Sequence, residues 1–110
     1  MFKIVWPWLL KKLGFSAITI FVFTFYRSKD HTTDLFLMNH ERIHFMQQLE
    51  LFFVGFWILY VFEFCIRYIL SGFNHMEAYR RISFERECYI HEDDLSYLVY
   101  RKPYSWITYV

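Results

Sequence analysis

Two histidines four residues apart, His40 and His44, bracket Glu41 in the stretch HERIH. On a helix this spacing sets both imidazoles on one face, one turn apart. Two nitrogen donors so placed, with a carboxylate directly after the first, form the HExxH pattern. In it the imidazoles hold a zinc ion, and the carboxylate takes a proton from water activated beside the metal. The pattern arises by chance in roughly one chain in a hundred of this composition, so its context matters. Here it opens an expected helix directly after an expected strand.

A catalytic zinc takes three protein ligands and keeps one position open. The candidate third donors are His31 in the turn before the motif, and His75, Glu77, Glu85, Glu87 and His91 after a long apolar run. The stretch FERECY (84–89) offers Glu85 and Glu87 at i and i+2, which face different sides of a helix, so only one of them can reach the metal. Gln47 and Gln48 follow His44 by one turn, where they either touch the site or solvate the helix. HEDD (91–94) fans around a helix axis and reads as a solvated face.

The elements that must position these residues follow from the pattern of residue types. The segment AITIFVFTFY (17–26) is rich in β-branched and aromatic residues and reads as a strand. Its expected partner is DLFLM (34–38), across the polar turn RSKDHTTD. Helix is expected from Asn39, a good N-cap type. Residues 51–70 form a 20-residue run whose only charges are Glu63 and Arg67, four apart and able to pair. That length matches one bilayer crossing; the alternative is a buried helix in an oligomer. Ser71-Gly72 reads as a turn, a second helix is expected from about Ser83, and Pro103 ends it. The segment YSWITYV (104–110) is expected to add a strand or an interfacial anchor, and MFKIVWPWLLKK (1–12) an interfacial or packed N-terminal segment. The expected fold is α+β, mainly α. It has a short N-terminal β-hairpin, a long apolar helix bearing HERIH, a returning segment and a C-terminal helix with the third ligand, all in one domain spanning residues 1–110.

This arrangement carries a geometric condition. A straight helix from residue 44 to 71 would rise about 40 Å. Glu85 then returns to His40 and His44 only if residues 72–82 run mostly extended or if the helix bends, with Gly55 the expected bend.

Composition narrows the partners. Fourteen Phe, nine Tyr and four Trp in 110 residues are more apolar surface than a small globule hides, so lipid, peptide or a second copy of the chain is expected to cover some of it. A formal net charge of +1 with scattered basic residues gives no support for nucleic-acid binding. Two cysteines make no disulfide framework, and Cys65, inside the apolar run, is expected to be a buried thiol. Basic residues balance on the two sides of the run. A hairpin that returns Glu85 to the motif would place both ends, and the site, at the cytoplasmic face of a membrane.

HERIHFMQQ followed by FERECY resembles the glutamate-type zincins, metallopeptidases in which a Glu on a later helix completes HExxH. It resembles most the short membrane-associated proteins with HExxHxxQ, an apolar helix and FEREAY. The resemblance covers residues 35–90, and its specific part is about a dozen residues. It implies a zinc-dependent peptidase with His40, His44 and Glu85 as ligands, Glu41 as general base and Glu87 in reserve as a ligand. It places Tyr89 where many such enzymes have an Asp that orients a ligand histidine; from its position one turn past His44, Gln48 is expected beside the ligands as well. Cys88 and Tyr89 depart from the usual Ala and Asp. The competing expectation is a non-catalytic helical membrane module with a structural metal or none.

Overall fold

The computed structural model describes residues 2–20 and 23–110. It is mainly helical with one small sheet, an α+β fold of the expected kind. Strand β1 (Phe2–Val5) leads into helix α1 (Pro7–Leu13). Pro7 suits the first helical position, where its missing N–H has no partner to lose. Gly14 ends the helix in the left-handed conformation, its N–H returned to Lys11.

The expected strand over 17–26 is two strands, β2 (Ala17–Ile20) and β3 (Phe23–Tyr26), which pair antiparallel with Thr19 opposite Thr24. β1 pairs in parallel with the other side of β3, so the sheet order is β1-β3-β2 and β2 is an edge. The segment expected to partner the strand instead begins helix α2 (Leu35–Glu50). The cap is Asp34, whose carboxylate accepts from the N–H groups of Phe36 and Leu37. Asn39 lies inside the helix. Its amide donates to the carbonyls of His91, Glu92 and Asp94 and ties off the end of a later helix.

The apolar run does not continue α2. The chain breaks at Leu51–Phe53 and restarts as α3 (Val54–Leu70), bent by 111° from α2. Phe52 and Phe53 have φ of 55° and 60°, and Val54 N–H reaches Phe52 carbonyl across the γ-turn at Phe53. The bend therefore falls just before Gly55, which sits within α3. Among the described residues no single helix is long and apolar enough to cross a membrane; α2 and α3 satisfy that length and composition only together, as a bent pair.

The return is also helical rather than extended. After Ser71-Gly72 come α4 (His75–Arg81), packed along α3, and α5 (Ser83–His91), packed across α2. Glu63 accepts from both the N–H and the hydroxyl of Ser83, at 2.7 Å each, and so caps α5 from α3 instead of pairing with Arg67. A short helix α6 (Tyr97–Tyr100) and a 3-10 turn (Ser105–Tyr109) finish the chain, where a strand or anchor was expected. Phe56, Ile82 and Phe84 form one core with Trp106 against them, and Ile43, Cys88 and Tyr97 form a second. Cys65, expected inside, is exposed.

Candidate metal centre

α2 presents His40 and His44 from one face, and α5 crosses that face with Glu85. The Nε2 atoms of His40 and His44 lie 3.1 and 2.9 Å from the same oxygen, Glu85 Oε1, and Glu85 Oε2 is 2.8 Å from His44 Nε2. All three side chains are buried. Donors that share a tetrahedral ion at about 2.1 Å stand roughly 3.4 Å apart, so the carboxylate–imidazole spacing suits a common metal with a small adjustment.

The opposite ring nitrogens are held by the protein. His40 Nδ1 meets Glu92 Oε2 at 2.7 Å, and His44 Nδ1 meets the Gln47 amide oxygen at 2.8 Å. With Nδ1–H donating to these acceptors, each ring keeps Nε2 on the Glu85 side, where it donates to the carboxylate when protonated and offers its lone pair when a metal takes the place of that proton. Tyr60 from α3 donates to Glu85 Oε2 at 3.1 Å and fixes its carboxylate. Gln47 is itself locked by donating to Phe84 carbonyl and to Glu87.

Cys88, one turn beyond Glu85, adds a second possible donor. His40, His44 and Cys88 each place a ligand atom within 4.8 Å of the other two and form a buried group that could hold a metal ion. Glu85 stands 3.1 and 2.9 Å from the two nitrogens on the same side of the rings.

Electrostatics agree with a cation site. Burial alone would depress His40, but hydrogen bonds to Glu85 and Glu92 outweigh it and push the imidazole up to about 10. His44 is raised in the same sense against its burial, chiefly by the Glu85 charge. Glu85 is held far below the usual carboxylate range, the two imidazoles overcoming its desolvation. The burial of Cys88 and the nearby carboxylates push its thiol well up.

Glu41, between the two histidines, reaches the sheet, where Thr19 donates to its Oε2 at 2.7 Å. It lines, with His44 and Glu85, a cavity of about 220 Å³ bounded by β2 and α3.

The structure thus brings together His40, Glu41, His44 and Glu85. It takes Glu87 elsewhere: Glu87 is buried against Arg101, Tyr97 and Gln47. Gln48 donates to Thr19 carbonyl at 2.8 Å and anchors the edge strand, not the ligands. Tyr89 packs edge-on against the His40 ring, centroids 4.8 Å apart, and the orienting carboxylate expected there comes from Glu92, three residues on. Glu92 belongs to the HEDD stretch read as solvated. Its signal is the seven-residue step from Glu85, two turns along one face of a helix. The other candidate donors go elsewhere: His31 bonds Ser28, His75 lies exposed at the start of α4, Glu77 pairs with Arg81, and His91 bonds Tyr109.

No protein-family model, curated protein or solved structure matches the chain.

Proposed function

We propose that this protein is a zinc-dependent metallopeptidase of the glutamate-zincin type that works at a membrane. The convergence of His40 and His44 Nε2 on Glu85, with Glu41 facing the adjoining cavity, is the observation that carries the reading. Two imidazoles and one carboxylate are the donor set of a hydrolytic zinc, and they leave one side of the site for water and substrate. Zinc held there supplies Lewis acidity toward a carbonyl oxygen and toward water. Glu41 takes a proton from the attacking water, whose oxygen bonds to the scissile carbon, and passes that proton to the amine nitrogen as the C–N bond breaks. Thr19 holds Glu41 Oε2 in place, while Tyr60, Glu92 and Gln47 keep the ligands in register.

Membrane association is supported by the outward stripe of α3. Ile58, Phe62, Ile69 and Leu70 are all more than 60 % exposed, a density of apolar surface that lipid covers well. Aspartate at Ile58 and Phe62 is expected to release the protein from vesicles at least about tenfold, with its zinc retained. Undiminished vesicle binding would count against lipid as the cover.

Cys88 favours one second reading. If its sulfur joins His40, His44 and Glu85, four protein ligands close the site and the metal is structural. Glu41→Gln separates the two. Peptidase chemistry requires that this variant keep its zinc and lose hydrolysis by about 10²-fold or more. A structural site has no hydrolysis to lose, and hydrolysis that survives the change disproves Glu41 as base.

A further inference from the structure

We infer that the outer face of the N-terminal sheet, together with α1, docks on an anionic lipid surface. The inference rests on the membrane reading above and adds a headgroup charge, which the uncharged stripe of α3 does not select.

The sheet is built inside out. Side chains alternate across a strand, so the register of the three strands sorts them into two faces. The face toward α2 holds Ala17, Thr19, Thr24 and Tyr26, all buried, and Thr19 reaches Glu41 there. The described residues of the opposite face are all apolar: Phe2 and Ile4 from β1, Phe23 and Phe25 from β3, Ile18 and Ile20 from β2. None of the six is buried, and Phe2 and Phe23, whose rings lie 5.7 Å apart, are the most exposed. Trp6 extends this face by packing on Phe25, centroids 6.0 Å apart. Hydroxyls inward and aromatic rings outward call for an apolar cover on the outer side.

Charge decides what the cover is. The first 29 residues carry five basic side chains and no acidic one. Lys3 is held by the Thr32 carbonyl on the α2 side. Lys11, Lys12, Arg27 and Lys29 enter no ion pair among the described residues. Lys12 stands 5.1 Å over the ring of Trp8, which is 65 % exposed and two residues from Trp6. Indole rings beside lysines suit the headgroup level of a bilayer, and each lysine near an anionic leaflet adds about fivefold to binding. A second copy of the chain on this face would bring two sets of unpaired cations together, and like charge disfavours that pairing. Docking by the outer face also holds the metal centre one sheet's thickness from the lipid, because Thr19 on the inner face touches Glu41.

The test is flotation of the full chain with vesicles of phosphatidylcholine alone, or of phosphatidylcholine with about one-quarter phosphatidylserine. Binding to the anionic vesicles is expected to be at least about tenfold tighter, with the gain lost in about 0.5 M salt. Lys11→Gln combined with Lys12→Gln is expected to lose about tenfold on the anionic vesicles and to keep the wild-type affinity for the neutral ones. Phe2→Ser combined with Trp8→Ser, both at positions 65 % exposed, is expected to weaken binding to both vesicles several-fold. Brominated lipid is expected to quench tryptophan fluorescence, and less so in Trp8→Phe. Equal affinity for the two vesicles, or a gain untouched by the lysine substitutions, would overturn the anionic surface while leaving α3 as the lipid contact. Binding unaltered by Phe2→Ser with Trp8→Ser would overturn the sheet face as the contact, and a dimer that this variant dissociates would assign the face to a second copy. A chain that floats with neither vesicle would overturn the membrane reading and this inference with it.

Discussion

His40 commits one ring nitrogen to Glu92 and turns the other to Glu85; His44 does the same with Gln47 and Glu85. Without metal, His40 is protonated at neutral pH, because Glu85 and Glu92 together overcome its burial and carry it to about 10. Zinc needs the neutral ring, so uptake at pH 7 is expected to release at least one proton. Affinity then rises with pH by about tenfold per unit for each proton released, until the His40 value is passed. Calorimetry in two buffers of different ionisation enthalpy measures the release, and identical heats would contradict the pairing. The acceptors behind the rings matter for the same reason: Glu92→Ala and Gln47→Ala are each expected to weaken zinc binding about 10–100-fold in a competition assay with a chelator. Of these residues, the sequence made the HERIH triplet and Glu85 legible, because helical spacing and donor chemistry are local. Glu92 was hidden. Its distance from His40 in sequence is 52 residues, and its role exists only once α5 lies across α2.

The elements show the same division. Helical content and the helix from Ser83 follow from residue patterns, but the break between α2 and α3 does not, since Phe52 and Phe53 are poor residues for a positive φ. The bend is imposed by packing: α3 has to fold back so that Phe56 meets Phe84 and Glu63 reaches Ser83. It satisfies the geometric condition set by the 40 Å helix without an extended return. Phe52 is 86 % exposed, so its ring packs little on the protein and its backbone bears the strain. Phe52→Gly is accordingly expected to raise stability in detergent by about 0.5–1 kcal/mol, read from denaturant midpoints. A loss of stability would show that the turn is not held in that conformation. The short N-terminal antiparallel pair is there, but within 17–26 rather than between that run and 34–38: a continuous apolar run conceals where a strand turns, and a capping Asp34 in a polar segment reads equally well as part of a loop.

At the scale of the molecule, the C-terminal segment is clamped to the two helices that carry the site. Arg101 pairs with Glu50 at the end of α2 and with Glu87 on α5, and Tyr97 donates to the same Glu87. Arg101→Ala would leave two carboxylates buried without their cation and is expected to cost about 3–5 kcal/mol. Glu87 gives this clamp a pH dependence. Against its burial, hydrogen bonds from Arg101, Tyr97 and Gln47 hold its carboxyl below the ordinary value of 4.5. A carboxylate depressed in the folded state adds stability that is full above 4.5 and lost as pH falls through the folded value. Acid unfolding of the wild type is therefore expected to begin below pH 4.5, and Glu87→Gln should flatten that limb of the curve. The same clamp keeps α2 and α5 crossed, and on that crossing the metal centre depends. Elemental analysis of the purified wild type beside His44→Ala, Glu85→Ala and Cys88→Ala addresses it directly. About one zinc per chain is expected in the wild type and in Cys88→Ala, with loss in both other variants. A wild type that takes up no zinc when supplied, or zinc that survives Glu85→Ala and is lost with Cys88→Ala, would contradict a site built from His40, His44 and Glu85.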